Sequence, residues 1–222
     1  MAHILNIDTS RETASICLSR DTTLLELRIN DNQYDHASWI HTAIAELLQT
    51  AGITLLELNA VAVTIGPGSY TGLRVGLATA KGLCYALQLP LITISTLEMM
   101  AEAAREQAEE LICPMIDARR MEVFAAIYDK NLTIISPPAA IELNNTTYQS
   151  FIATHKIVFC GSGSKKFTSF VQSANARFIE LPLHSSALIP LAFKRFLKKD
   201  FASLAYAEPV YLKEFYTTQR RK

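Results

Sequence analysis

Gly66-Pro67-Gly68-Ser69-Tyr70-Thr71-Gly72-Leu73-Arg74-Val75-Gly76 decides the fold class, because the β-rich run Ala60 to Ile65 stops at its first glycine and a helical pattern follows, from about Thr71 to Gln88. Strand, glycine turn and helix N-terminus in that order bring backbone N–H groups and the positive end of a helix dipole to one point, a geometry suited to an anion. The spacing is G-x-G-x-x-x-G, not the G-x-G-x-x-G of dinucleotide folds, and no Gly-Lys-Ser/Thr follows as a P-loop requires. Anion binding at Gly66 and Gly68 and a plain packed turn both stay open on these residues.

Upstream, short strands are predicted at His3 to Ile7, Ala14 to Ser19 and Thr22 to Asn30, separated by polar turns that imply antiparallel neighbours. Ala37, Ile40, Ala43, Ile44, Leu47 and Leu48 recur at helical spacing, so a helix runs from about His36 to Thr50, with Gly52 as its stop. Downstream come the strand Leu91 to Ser95 and an Ala- and Glu-rich helix over Ala101 to Glu110. The order is β-β-β-α-β-α-β.

From about Leu111 the programme restarts. Ile7-Asp8 heads a turn, with Arg11 three residues past the aspartate and a strand behind it; Ile116-Asp117, 109 residues further on, has Arg120 in the same place and Val123 to Tyr128 behind it. A duplicated β-β-β-α unit is the architecture of the actin/Hsp70/sugar-kinase clan, whose paired domains each carry an aspartate turn between their first two strands. Two domains are expected, 1–108 and a smaller 109–222. The second reads as strands to about Ile135, a short helix near Thr146 to Ala153, the strand Ile157 to Cys160, the turn Gly161-Ser162-Gly163, and helices around Lys166 to Ser173 and Ser186 to Lys199.

A chain of 222 residues with half of them hydrophobic can bury a substantial core. Lys plus Arg balance Asp plus Glu at 21 each, which argues against a protein that holds nucleic acid by its own strongly basic surface. The cations that cluster, Lys194, Arg195, Lys198 and Lys199, then Arg220, Arg221 and Lys222, read as a solvated helix face and a frayed tail. Cys17, Cys84, Cys113 and Cys160 lie far apart in apolar runs, with no C-x-x-C spacing, and read as buried reduced thiols. No leader pattern precedes the first strand and no apolar run has the length of a membrane span, so a cytoplasmic protein is expected.

Ile7-Asp8-Thr9-Ser10, the Gly66 to Gly76 run, Ala80-Lys81-Gly82-Leu83, Ser95-Thr96-Leu97, Asp117-Ala118-Arg119-Arg120 and Val210-Tyr211-Leu212-Lys213 resemble, in order and spacing, the TsaB (YeaZ) family of tRNA threonylcarbamoyladenosine biosynthesis proteins. The resemblance covers essentially the whole chain and is most specific before residue 120. It implies an α/β, actin-like (ASKHA, ribonuclease H-like) fold and a place in the complex that installs threonylcarbamoyl on adenosine 37 of tRNAs reading codons that begin with A. TsaD, the catalytic relative, binds a metal through His-x-x-x-His on the helix that Thr96 and Met100 occupy here. A threonine hydroxyl and a soft thioether do not replace imidazole for iron or zinc. His36 and His41, spaced i,i+5, point about 140° apart on a helix. The implied role is a non-catalytic subunit without cofactor, partnered by a TsaD-type subunit, by a TsaE-type ATPase in a larger complex and by itself when alone, with tRNA met only through the complex.

Such a subunit needs a partner surface. Gly72, Gly76 and Ala80 recur every four residues, and so do Ala78, Gly82 and Ala86, giving two small-residue stripes that allow close backbone approach. The family associates through its two N-terminal helices, so the interface residues expected here are His36, Trp39, Ile40, Ala43, Gly72, Val75, Gly76, Thr79, Gly82 and Ala86. Trp39 reads equally as an anchor or as a semi-buried core residue. Asp8, Thr9 and Ser10 are weak candidates for a metal or phosphate and fit a plain turn as well; Lys81 reads as a snorkelling side chain. Asp117 suggests an ion pair with Arg119 or Arg120. The alternatives are a nucleotide-dependent kinase or ATPase, with Asp8 and Asp117 flanking the cleft and Gly161-Ser162-Gly163 as its adenosine contact, and a glycoprotease-like, metal-dependent peptidase, for which Ser69 and His36 lack a nucleophile elbow.

Overall fold

The computed structural model describes residues 1–32 and 35–213; Arg220, Arg221 and Lys222 lie outside the described residues. Strands β1 (His3–Asp8), β2 (Ala14–Arg20), β3 (Thr23–Asn30), β4 (Ala60–Thr64) and β5 (Leu91–Ile94) form one sheet in the order β3-β2-β1-β4-β5. The first three are antiparallel, and β4 and β5 run parallel to β1. Alternation along β1 sorts its side chains: Leu5 and Ile7 join Val61 and Val63 under helices α1 (His36–Ala51) and α2 (Tyr70–Leu87), while Ile4 joins Ala62 and Ile94 on the opposite face. Both faces are covered, which is why the central strands read as continuous apolar runs. Gly52 closes α1 in the left-handed conformation at φ 67, as its position predicted.

The second sheet repeats the first. Strands β6 (Leu111–Asp117), β7 (Glu122–Asp129), β8 (Ile134–Glu142), β9 (Ile157–Cys160) and β10 (Ala176–Ile179) lie in the order β10-β9-β6-β7-β8. Counted from β6, that is the arrangement of β1 to β5, with the same antiparallel meander and parallel additions. Helices α4 (Gln149–Thr154) and α5 (Ser164–Phe167) are short. Between the sheets lie α3 (Thr96–Ala104) and α6 (Ile189–Lys198), whose Leu97, Met100, Ala101, Leu191 and Ala192 pack with residues of both sheets into one shared core.

Four expectations need correction. The helix expected over Ala101 to Glu110 starts at Thr96 and gives way to a 3-10 turn at Arg105–Gln107, because the buried Leu97, Met99 and Met100, not Ala and Glu propensity, set its limits. Strand β8 continues past Ile135 through Pro137 and Pro138, tolerated because it is an edge strand with one unpaired side. The helix expected over Lys166 to Ser173 is only α5 and a 3-10 turn at Thr168–Phe170, and the four-residue edge strand β10 follows unforeseen. Finally, residues 202–210, expected within the second domain, return to the first sheet: the Ala202 amide donates to Leu91 O (2.8 Å) and the Val210 amide to Ile65 O (2.7 Å). The two strand sets fall on either side of residue 108, but α6 and this strap pack against the first one.

The turn after β1 is seated on the N-terminal part of α2 through glycines. A Cβ on Gly68 would lie 2.2 Å from Ser10 O, one on Gly72 2.0 Å from Thr9 O, and one on Gly76 2.2 Å from Thr9 Oγ1. Two bonds close the joint: Ser69 N–H to Ser10 O at 2.7 Å and Thr9 Oγ1–H to Gly72 O at 2.7 Å. Gly82, two turns on, has nothing within 4 Å of the same position. Gly72→Ala is therefore expected to destabilise by about 3 kcal/mol through overpacking, and Gly82→Ala to stabilise by up to about 1 kcal/mol through helix propensity. Urea unfolding measures both, and equal effects would refute the joint.

Candidate functional site

Asp8 ends β1 at the cleft between the two sheets and is wholly buried. Its Oδ1 accepts from Ser10 Oγ (2.6 Å), Ser10 N (3.1 Å) and Thr64 Oγ1 (2.9 Å), and its Oδ2 from the Arg11 guanidinium (2.9 Å). Three donors thus converge on Oδ1, and a charged one holds Oδ2. Burial pushes the Asp8 pKa up, but the Arg11 charge and the hydrogen bonds from Ser10 and Arg11 outweigh it, and the pKa lies below the ordinary 3.8. The same Arg11 Nη2 donates to Leu183 O at 2.5 Å, so one guanidinium ties the first sheet to the segment before α6. A second tie runs from Ser185 N to Ser15 Oγ at 2.8 Å.

Sequence spacing marked Arg11 only as a repeat of Arg120; its partner Leu183 is 172 residues away from it, and Thr64, which donates to Asp8, is 56 residues from the aspartate, so neither carries a local signal. The residues fit poorly with a metal at Asp8, since the cation place beside the carboxylate is taken by the chain's own guanidinium. Thr9 faces α2, and Ser10 holds Asp8 and Ser69.

Neither glycine turn is an open cradle. Gly66 sits at φ 117, and a Cβ there would meet Val210 O at 2.5 Å, so the strap lies directly on it. Ser69 caps α2 by accepting from Gly72 N at 3.3 Å. In the second half, Gly161 is filled by Met100 Cε and Met115 O (2.2 and 2.5 Å from a Cβ) and Gly163 by Val123 Cγ1 (2.7 Å). Asp117 pairs with Lys166 (2.5 Å) and accepts from the Arg119 amide (2.6 Å); the ion pair expected with the Arg119 or Arg120 guanidinium does not form.

Thr96 and Met100 on α3 are both wholly buried in the core between the sheets. His36 is buried at the start of α1 with Nε2 donating to Arg11 O at 3.3 Å, while His41 is exposed. Among the described residues no group of three or more His, Cys, Asp or Glu converges. Ser69 and His36 have separate partners and form no nucleophile–base pair.

The ten residues expected at a partner interface divide by exposure. His36, Ile40, Ala43, Gly72, Gly76 and Thr79 are buried in this chain's own core, and Trp39 and Val75 are half-buried against it. Gly82 and Ala86 are exposed, with Ala78 one turn earlier and Tyr85, 73% exposed, beside them. The stripe Gly72-Gly76-Ala80 is thus the joint to Thr9 and the sheet, and Ala78-Gly82-Ala86 is the stripe open to a neighbour. Lys81 does not snorkel freely: its Nζ donates to Ala207 O (3.0 Å) and Ala205 O (3.5 Å) of the strap.

A family model described as "TsaD: tRNA N6-adenosine threonylcarbamoyltransferase" matches residues 30–207. The tRNA threonylcarbamoyladenosine biosynthesis protein TsaB of Escherichia coli (strain K12) is 30% identical over 95% of this chain and 94% of its own. The chain belongs to the TsaB family. A Pseudomonas aeruginosa structure described as an uncharacterized protein with similarity to peptidase YEAZ superposes at a TM-score of 0.86 with 27% identity, over 96% of this chain and 100% of that one. The activator of 2-hydroxyisocaproyl-CoA dehydratase from Clostridium difficile, solved with bound ADPNP, matches at a TM-score of 0.52 and 9% identity over 90% and 98% of the two chains. That likeness is one of fold, and the fold of this TsaB-family chain is actin-like, in two β-β-β-α-β-α type halves.

The Asp8–Arg11 pair makes a pH-dependent prediction. A depressed carboxylate pKa adds stability that is complete above the unfolded value of 3.8 and is lost as pH falls through the folded value. Asp8→Asn, which leaves Arg11 without its counter-charge, is expected to cost about 3 kcal/mol at neutral pH. The gap from the parent protein should close as pH drops below 3.8. Denaturant melts across pH measure it; a pH-independent gap would show that the ion pair is not its origin.

Proposed function

We propose that this chain is a non-catalytic scaffold subunit that joins a TsaD-type subunit for threonylcarbamoyl transfer to adenosine 37 of tRNAs reading codons that begin with A. The observation that carries this reading is the state of α3: the two positions matching the metal-binding histidines of TsaD hold Thr96 and Met100, both at zero exposure, with Met100 pressed on Gly161. Their donors are unsuited to iron or zinc, and no approach leads to them. Membership of a family named for tRNA threonylcarbamoyladenosine biosynthesis supplies the pathway. The ATPase of the complex is a TsaE-type partner, the chain pairs with itself when alone, tRNA is met through the complex, and the place of action is the cytoplasm. No helix among the described residues is long and apolar enough to cross a membrane.

No observation favours the nucleotide-enzyme alternative: Asp8 is buried and held by Arg11, Ser10 and Thr64, and the Gly161 and Gly163 positions are filled. Mixing this chain, a TsaD-type subunit, a TsaE-type ATPase, threonylcarbamoyl-adenylate and tRNA should yield the modified nucleoside only when both of the first two are present. Product from this chain alone would sink the proposal. Gly82→Leu, on the open stripe, should abolish the heterodimer in light scattering without lowering the melting temperature. Gly76→Leu, by contrast, is expected to unfold the chain, since its Cβ would lie 2.2 Å from Thr9 Oγ1.

A further inference from the structure

The β6–β7 turn, Asp117 to Glu122, presents two arginines for which the folded chain has no use. Elsewhere among the described residues, each arginine gives its guanidinium to a neighbour: Arg11 to Asp8, Arg20 to His3, Arg28 to Thr50, Arg74 to Tyr211, Arg105 to Glu102, Arg177 to Gln107 and Arg195 to Glu98. Arg119 and Arg120 are exposed, and among the described residues their guanidinium groups have neither hydrogen bond, ion pair nor ring contact.

Their backbone makes the choice of residue stranger. Arg119 lies at φ 66 and Arg120 at φ 49, two successive left-handed residues where glycine or asparagine is the low-energy choice. The turn holds that conformation from several sides. Asp117 Oδ1 accepts from Arg119 N at 2.6 Å, Glu122 N–H donates to Arg119 O at 3.2 Å, Ala118 N–H donates to Glu122 O at 3.1 Å, and Lys166 Nζ donates to Arg120 O at 2.7 Å. A strained but over-determined turn that displays unpartnered side chains points to a use outside the chain.

Charge sets the kind of partner. Lys166 is bound to the turn itself, and Lys213 reaches it from the strap through its ion pair with Glu122. Four cations, Arg119, Arg120, Lys166 and Lys213, therefore meet three anions, Asp117, Glu122 and Glu142, the last opposite Glu122 in the β7–β8 pair, a local excess of one positive charge in a chain whose net charge is zero. Two residues before Lys213, Tyr211 stands beside the Arg74–Tyr70 stack, with the guanidinium 3.9 Å from the Tyr70 ring centre and the two tyrosine rings 5.3 Å apart. Exposed guanidinium groups flanked by lysines are the chemistry that engages a phosphate backbone.

We infer that Arg119 and Arg120 form a phosphate-contacting site for RNA, through which this subunit touches the tRNA held by the assembled complex. The site rests on the scaffold reading above, because two guanidinium groups on a neutral chain supply too few contacts to hold RNA alone. The test uses the heterodimer with the TsaD-type subunit and a fluorescently labelled, unmodified tRNA transcript, titrated at several salt concentrations. Arg119→Asn/Arg120→Asn removes both charges while suiting the left-handed backbone, so its melting temperature should not fall. Its heterodimer should form normally and bind tRNA on the order of tenfold more weakly. Its slope of log affinity against log salt should be shallower by about 1.5, at 0.7 to 0.9 per phosphate contact. Lys130→Gln/Lys198→Gln, which removes two charges elsewhere, should leave both unchanged. Unaltered tRNA affinity and salt slope in the assembled double variant would overturn the site. So would loss of heterodimer formation by that variant, which would make the arginines a protein–protein contact. A parent chain that neither assembles nor supports modification would overturn the scaffold reading first, in the control, and the RNA site with it.

Discussion

Everything in this molecule is organised around the seat that α2 provides for the turn after β1. Thr9 and Ser10 lie against the backbone of Gly68, Gly72 and Gly76 with no room for a Cβ between them, and two hydrogen bonds fix the contact. Close packing without side chains makes the joint stiff and intolerant of change. It places Asp8, the residue just before Thr9, inside the cleft, where burial of a charge demands partners. Ser10 and Thr64 supply neutral donors and Arg11 the counter-charge, and because Arg11 also reaches Leu183 O, satisfying Asp8 joins the two halves.

That arrangement explains how an actin-like fold can be kept while its cleft is closed. Each sheet follows its first strand with an aspartate and its fourth with a glycine turn, but here every such position is occupied from within. Arg11 stands at Asp8, Lys166 at Asp117, the strap at Gly66, and Met100 and Met115 at Gly161. Helix α3, where Thr96 and Met100 lie, is part of the shared core and not of a cavity wall. A fold whose cleft is filled in this way offers its outer surfaces to other molecules, and those surfaces differ in character. The open stripe of α2 is small and apolar around Tyr85; the β6–β7 turn is cationic and rigid. Packing suits the first to another protein surface and charge suits the second to phosphate.

The strap adds a constraint that ties these surfaces together. It pairs with Leu91, takes Lys81 through its carbonyls, lies on Gly66, meets Arg74 through Tyr211 and ends its described course at Glu122. Residues 202–213 thereby brace the N-terminal half of the molecule and the turn of the second sheet at once. Lys81 is held by backbone carbonyls that belong to residues more than a hundred positions away, a contact invisible to any local pattern.

The sequence by itself determined the period-2 and period-3.6 segments, the glycine turn after β4, the left-handed stop at Gly52 and, through the spacing of Asp8 and Asp117, the repeat that the two sheets share. These are local quantities, set by side-chain periodicity and by backbone freedom within a few residues. In the second sheet the edge strands were legible only in part, since β10 is four residues long and β8 carries two prolines. Only the tertiary structure decided which of the two small-residue stripes on α2 faces inward, since both consist of glycine and alanine alone and the seat of Thr9 picks between them. It also decided that Asp117 pairs with Lys166 and that, among the described residues, the Arg119 and Arg120 guanidinium groups take no partner, because electrostatic partners are chosen by distance in space across 49 residues of chain and not by neighbourhood in sequence.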